Sequence, residues 1–141
     1  MMSKTEILIR SILNTVRTDI RPLACTLDVI GEKIAEEGLD WSELCVTKDI
    51  YPVVARRLGK QPSSVARSAE RIANQCWEEM DQWQTIRYLG KPIDHLRAPS
   101  ELMFYLAFFA RHGKPYYRVI RERVRRYWTA EGEANQMRNS L

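Results

Sequence analysis

The feature that most constrains this chain is its punctuation. Apolar residues recur at helical spacing, and prolines and glycines stand where helices start and stop. Pro22 suits the first turn of a helix that carries Leu23, Leu27, Ile30 and Ile34 on one face and stops at Gly38. Pro62, Ser63 and Ser64 open another, which the spacing carries to about Trp83 with Val65, Ala69, Ile72, Cys76 and Met80 inward. Before it, a helix from about Thr47 points Ile50, Val54 and Leu58 inward and ends at Gly59. At the start, Ser3 and Glu6 form a capping box ahead of Ile9, Ile12, Leu13 and Val16. Tyr88 to Ala98, with Gly90 and Pro92, reads as a loop; Ser100 and Glu101 then open a helix to about Arg111, which Gly113 ends. A last helix spans Pro115 to about Ala130. Sustained alternation of apolar and polar residues is lacking, as are Asn-Gly and Asp-Gly hairpin turns. The expectation is an all-α chain of about six helices, an orthogonal bundle forming one domain over residues 1–130, with 131–141 as a frayed tail.

A chain of 141 residues can bury a core without disulfide or metal staples. Cys25, Cys45 and Cys76 are odd in number and widely separated, with no Cys-x-x-Cys pair, so free thiols in a reducing compartment are expected. The most apolar run, Leu102 to Ala110, falls far short of the roughly 20 residues needed to cross a bilayer. Glu6 and Arg10 interrupt the apolar N-terminus where a signal peptide would be continuous. The expected setting is the cytoplasm, with no membrane partner. The two histidines, His95 and His112, have no acidic or thiol neighbour at metal-site or catalytic spacing. His112 reads as a dipole partner at a helix C-terminus. Glu78, Glu79 and Asp81 read as a solvated helix face. No catalytic residue, metal or cofactor is expected, and the chain is read as a non-enzyme.

The formal net charge of +4 hides an uneven distribution. Residues 1–46 hold five Lys/Arg against eight Asp/Glu, a net of −3; residues 47–141 hold seventeen against ten, a net of +7. The basic portion suits a polyanionic partner. Within it, residues 49–77 have the order of a helix-turn-helix. Ala55 is small where the two helices cross, Gly59 permits a left-handed turn, and Val65 and Ile72 anchor the second helix. Ser63, Ser64, Arg67, Ser68 and Arg71 are left on its outer face. Serine hydroxyls and backbone N–H groups at a helix start bind phosphate, and Arg67 is long enough to fork onto guanine. Lys60, Arg56 and Arg57 would hold the flanking backbone.

The stretch Thr47-Lys48-x-x-Tyr51-Pro52-x-Val54-Ala55-Arg56-Arg57, followed by Ser63-x-Val65-x-Arg67 and Trp77, resembles the C-terminal DNA-binding domain of the sporulation-initiation response regulator of endospore-forming bacteria. Pro99-Ser100-Glu101 before an apolar helix is similar to another segment of that family. The resemblance covers roughly residues 5–112, most clearly 47–77. It implies a six-helix fold that binds double-stranded promoter DNA, often as tandem copies, with Ser63 on phosphate and Arg67 reading a base. This chain has Ser64, Ala66 and Glu70 where the family tends to have Arg, Glu and a second Arg, so the family's recognition sequence is not expected to transfer. Glu70 would face DNA with the wrong sign unless it accepts from a cytosine amino group. The family's receiver domain has no counterpart here, so control by phosphorylation of such a receiver is not expected.

The last helix carries Lys114, Arg118, Arg121, Arg123, Arg125 and Arg126 beside Glu122, with Tyr117, Ile120, Val124 and Tyr127 or Trp128 as an apolar stripe. Three readings stand open. The stripe packs on the domain; or Arg118, Arg121 and Arg125, with Lys48, add phosphate contacts; or the stripe joins two copies. A membrane-surface helix ranks behind these. The expected partners are double-stranded DNA, a second copy of the chain and a regulatory protein. The competing reading of function is a protein-interaction module that keeps the scaffold without specific DNA recognition.

Overall fold

The computed structural model describes residues 2–14, 17–38 and 45–139, apart from the side chains of Glu37 and residues 133–139. The described residues are all helical or connecting, and none forms a strand. They form seven α-helices and one π-turn. None of the helices is long and apolar enough to cross a membrane.

Helix α1 spans Lys4–Ile12 and buries Leu8, Ile9 and Ile12. Its cap is half of the expected box. The Ser3 hydroxyl oxygen accepts from the Glu6 N–H at 3.2 Å, but the Glu6 carboxylate takes the Ser3 hydroxyl proton instead of reaching back to the Ser3 backbone. Val16, expected to continue this face, lies outside the described residues. Helix α2, Arg21–Glu37, has Pro22 in its first turn and ends at Gly38 in the left-handed conformation, as the punctuation predicts.

The next helix differs from expectation at its start. Residues Val46–Ile50 form a wider π-turn, closed by the Tyr51 N–H on the Val46 carbonyl, and regular helix α3 runs only over Tyr51–Leu58. Pro52 has no N–H to give the Lys48 carbonyl, so an α-helix cannot pass through this point with its ladder intact.

Helix α4 spans Pro62–Glu79 and stops short of Trp83. Met80 is extended at ψ 125°, and Asp81 starts a new helix, α5, over Gln82–Leu89. Asp81 and Gln84 make a complete capping box, with the Gln84 N–H on Asp81 Oδ1 at 2.7 Å and the Asp81 N–H on Gln84 Oε1 at 3.1 Å. The expected loop therefore begins at Gly90 instead of Tyr88, and Tyr88 and Leu89 are buried helical residues.

Helix α6, Pro99–His112, is the centre of the fold. Every residue from Glu101 to Phe108 is buried, so it is covered on all sides. Helices α2, α1, α4 and α5 all pack on it, α2 most extensively. Its one buried carboxylate, Glu101, accepts from the Arg97 N–H at 3.2 Å and the Tyr105 hydroxyl at 3.4 Å. Gly113 closes α6, and α7 runs over Tyr116–Asn139, beyond the Ala130 limit read from the sequence. It is held chiefly by α5 and α6 through its first turns, where Tyr116, Tyr117 and Val119 pack on the core.

Candidate nucleic-acid interface

The connection between α3 and α4 is three residues, Gly59-Lys60-Gln61, between Leu58 and Pro62. Gly59 adopts φ 65° and ψ 39°, which costs glycine little and other residues about 1–2 kcal/mol. The turn is closed on the Ala55 carbonyl, which accepts from the Gly59 N–H and, at 2.9 Å, from the Lys60 N–H. Ala55 itself is buried, consistent with a small residue at the crossing. Gln61 precedes α4 in an extended conformation and puts no side chain on the helix's first N–H groups.

Helix α4 is sharply two-sided. Val65, Ala69, Ile72, Ala73 and Cys76 are buried, while Ser63, Ser64, Arg67 and Arg71 are exposed on the opposite side and Ser68 is half-buried at its margin. The structure thus brings the expected α4 residues onto one outward strip. It also extends the strip to Asn74, exposed one heptad beyond Arg67, which the sequence reading passed over. That spacing, i to i+7, was the available signal. Beyond Asn74 the strip turns acidic at Glu78 and Glu79, both exposed.

Glu70 does not stand out from this strip as expected. It is half-buried, and its Oε1 accepts from the Tyr51 hydroxyl at 3.2 Å, across the α3–α4 contact. Burial first, and then the Glu70 carboxylate, push the Tyr51 hydroxyl well above the ordinary phenol value, so it remains the donor. The same hydroxyl lies 3.8 Å from Met103 Sδ, which ties α3, α4 and α6 together at one point.

The flanking cations divide into exposed and engaged groups. Arg56 on α3, Lys60 in the turn and Lys48 in the π-turn are exposed. Lys60 also lies within coulombic reach of Asp19. Arg57 is turned back on α2, where its two terminal nitrogens donate to Glu32 at 3.0 and 2.6 Å. On α7, Arg118 donates to Glu122 at 3.2 Å and Arg121 donates to the Gly90 carbonyl at 2.8 Å, which fastens α7 to the end of α5. Arg125 is exposed. The expected group Arg118, Arg121 and Arg125 thus belongs to the α5–α7 joint and the helix beyond it, and two of its members already serve the fold.

The histidines contribute nothing here. His95 is exposed in the loop, and His112 packs on Phe108 with ring centroids 4.4 Å apart and the rings tilted by 45°. Partial burial, then Arg111 and Arg123, hold the His112 imidazole below its ordinary value. His112 lies in the last turn of α6, where the sequence places it.

No protein-family model matches the chain, and no curated protein or solved structure is significantly similar to it.

Proposed function

We propose that this protein is a cytoplasmic DNA-binding transcription regulator that reads double-stranded DNA through a helix-turn-helix formed by α3 and α4. On this reading the helices make an orthogonal bundle like the effector domain of the sporulation-initiation regulator that the Tyr51-Pro52 and Ser63-x-Val65-x-Arg67 segments resemble. The observation that carries it is the two-sided α4: a wholly buried apolar face opposite an exposed strip of Ser63, Ser64, Arg67, Arg71 and Asn74. Arg67 is the base reader, by bidentate donation to guanine. Ser63, Ser64 and the uncapped N–H groups of α4 hold phosphate, and Lys60, Arg56 and Arg71 hold its flanks.

The test is selection from a random duplex library at low and near-physiological salt, with the wild type and Arg67→Ala. Enrichment of one motif, weakened roughly 5- to 150-fold by the substitution, is the expected result, since a bidentate contact is worth ~1–3 kcal/mol. Motif-free binding that disappears as salt rises would leave only charge at work and overturn the reading.

A second reading is favoured by α7, where Val124, Tyr127 and Trp128 are 50%, 61% and 67% exposed. It makes the protein an interaction module that retains the scaffold, and it predicts that Arg67→Ala changes nothing.

A further inference from the structure

A cleft of about 460 Å³ opens between α1, α5 and α6, within the roughly 300–1,000 Å³ typical of small-molecule sites. Its floor is apolar and aromatic. Tyr88 and Phe109 meet edge to face with centroids 5.0 Å apart, and Leu8 and the half-exposed Ile7 extend the surface from α1. Its rim is cationic, with Lys4 from α1, Arg87 from α5 and Arg111 from α6. Among the described residues, none of these three has a carboxylate within ion-pair distance. Arg111 and Lys4 also border a neighbouring hollow lined by Asp28, which accepts the Thr5 hydroxyl at 2.9 Å, and Arg111 lies within coulombic reach of Glu32 without pairing to it.

The polar groups of the floor are closed among themselves. Ser11 Oγ donates to the Leu8 carbonyl at 2.6 Å, so at the 2.9 Å contact between the Ser11 and Tyr88 hydroxyls the proton must come from Tyr88. Neither hydroxyl has a proton left for a ligand. An occupant must therefore present an apolar body to the floor and a negative charge to the rim. A hydrated phosphate or an uncharged hydrocarbon matches only one of the two.

We infer that this cleft binds an amphipathic organic anion, an aromatic carboxylate, with its ring against Tyr88 and Phe109 and its carboxylate on Lys4 and Arg111. This goes beyond the DNA-binding reading and does not depend on it.

The test is titration of the ¹⁵N-labelled full chain with 2-naphthoate, its uncharged 2-naphthamide analogue and acetate. Saturable amide shifts centred on Lys4, Ile7, Ser11, Arg87, Tyr88 and Phe109 are expected with naphthoate. Binding should be at least fivefold weaker with naphthamide and undetectable with acetate at the same concentration. Lys4→Gln with Arg111→Gln should abolish the preference for the charged ligand. Ile7→Asp, at an exposed position, should abolish naphthoate binding and keeps the test alive should the double variant fail to fold. Equal affinity for naphthoate and naphthamide, shifts scattered over the surface, or a charge preference that survives the double substitution would overturn the inference.

Discussion

Gly90 carries the joint between α5 and α7, and replacing it with alanine should damage the fold in a way that can be sized. The residue closes α5 at φ 100°, where an L side chain costs about 1–2 kcal/mol. The added methyl would also lie 2.9 Å from the Arg118 backbone nitrogen, 3.1 Å from Tyr117 Cβ and 3.3 Å from Pro115 Cβ. None of these is the far end of a flexible side chain, so the first turn of α7 must move. Overpacking of this kind costs roughly 1–3 kcal/mol. Moving α7 also loosens the 2.8 Å bond from Arg121 to the Gly90 carbonyl, a further loss of about 1 kcal/mol. Together these give ~3–6 kcal/mol, a large fraction of the ~5–15 kcal/mol that holds a domain folded.

Gly113→Ala is the control. Gly113 also has a left-handed φ, 71°, but an added Cβ there has nothing within 4 Å. It should cost only the backbone share, about 1–2 kcal/mol. Urea denaturation of both variants, followed by far-ultraviolet circular dichroism, measures the difference directly. Gly90→Ala should be the less stable by about 2–4 kcal/mol, the contact share alone. Should α7 undock before the rest unfolds, hydrogen exchange will rise first at Tyr116 to Ile120. Equal destabilisation of the two variants, with unchanged exchange in α7, would refute the packing argument.

Glu70→Gln removes a negative charge beside the α4 strip while leaving an oxygen to accept from Tyr51. It should change stability by less than about 1 kcal/mol and tighten duplex binding at low salt; unaltered affinity by fluorescence anisotropy would show that Glu70 does not oppose DNA. Stability should decline in acid. The Arg21 hydrogen bond draws Asp19 down to about 2, and the Arg57 hydrogen bond lowers Glu32. Both contributions are complete above the unfolded carboxylate range near 4 and fade as pH falls below it, that of Asp19 toward about 2. Asp28, raised chiefly by burial, works in the opposite sense. Because both ion pairs are exposed, each contributes little, and Asp19→Asn with Glu32→Gln should flatten the slope of urea midpoint between pH 6 and 3; an unchanged slope rejects the assignment. Among the thiols, Cys45 is exposed whereas burial pushes Cys76 up to about 12. Iodoacetamide should therefore label Cys45 first and Cys76 only in denaturant, and native-state labelling of Cys76 at a matching rate would contradict its burial.

Local patterns carried most of the helix order because they are local physics. Pro22, Gly38, Gly59, Pro62 and Gly113 act through their own φ angles and missing groups, and each stands where the sequence placed it. The break at Met80 was hidden by a conflict of signals. Cys76, Met80 and the residues of α5 continue a plausible helical stripe, while Asp81-x-x-Gln84 is a cap that only a shift in axis makes useful. The stripe alone carries the expected helix on to about Trp83 and leaves Tyr88 and Leu89 in the expected loop, although both are buried residues of α5. The inward-turned charges were not legible for a different reason. Tyr51 meets Glu70 across two helices, Arg57 meets Glu32 on α2, and Arg121 meets the Gly90 carbonyl on α5. No short spacing encodes such pairs, because each depends on how whole helices are set against one another.

Those pairs bear on how α4 would meet a duplex. With Glu70 held by Tyr51 and Arg57 by Glu32, the exposed charge runs from Lys60 in the turn, through Arg67 and Arg71 on the helix, to Glu78 and Glu79 at its C-terminal end. The helix dipole has the same sense, positive at Pro62 and negative at Glu79. Both fields favour phosphate at the first turns and repel it from the last. On the proposed function, α4 therefore enters the groove by its N-terminal half, with Arg67 about one turn inside and Asn74 near the limit of reach. Specificity would then rest on few positions, and a second bound copy would be the natural way to lengthen the site read.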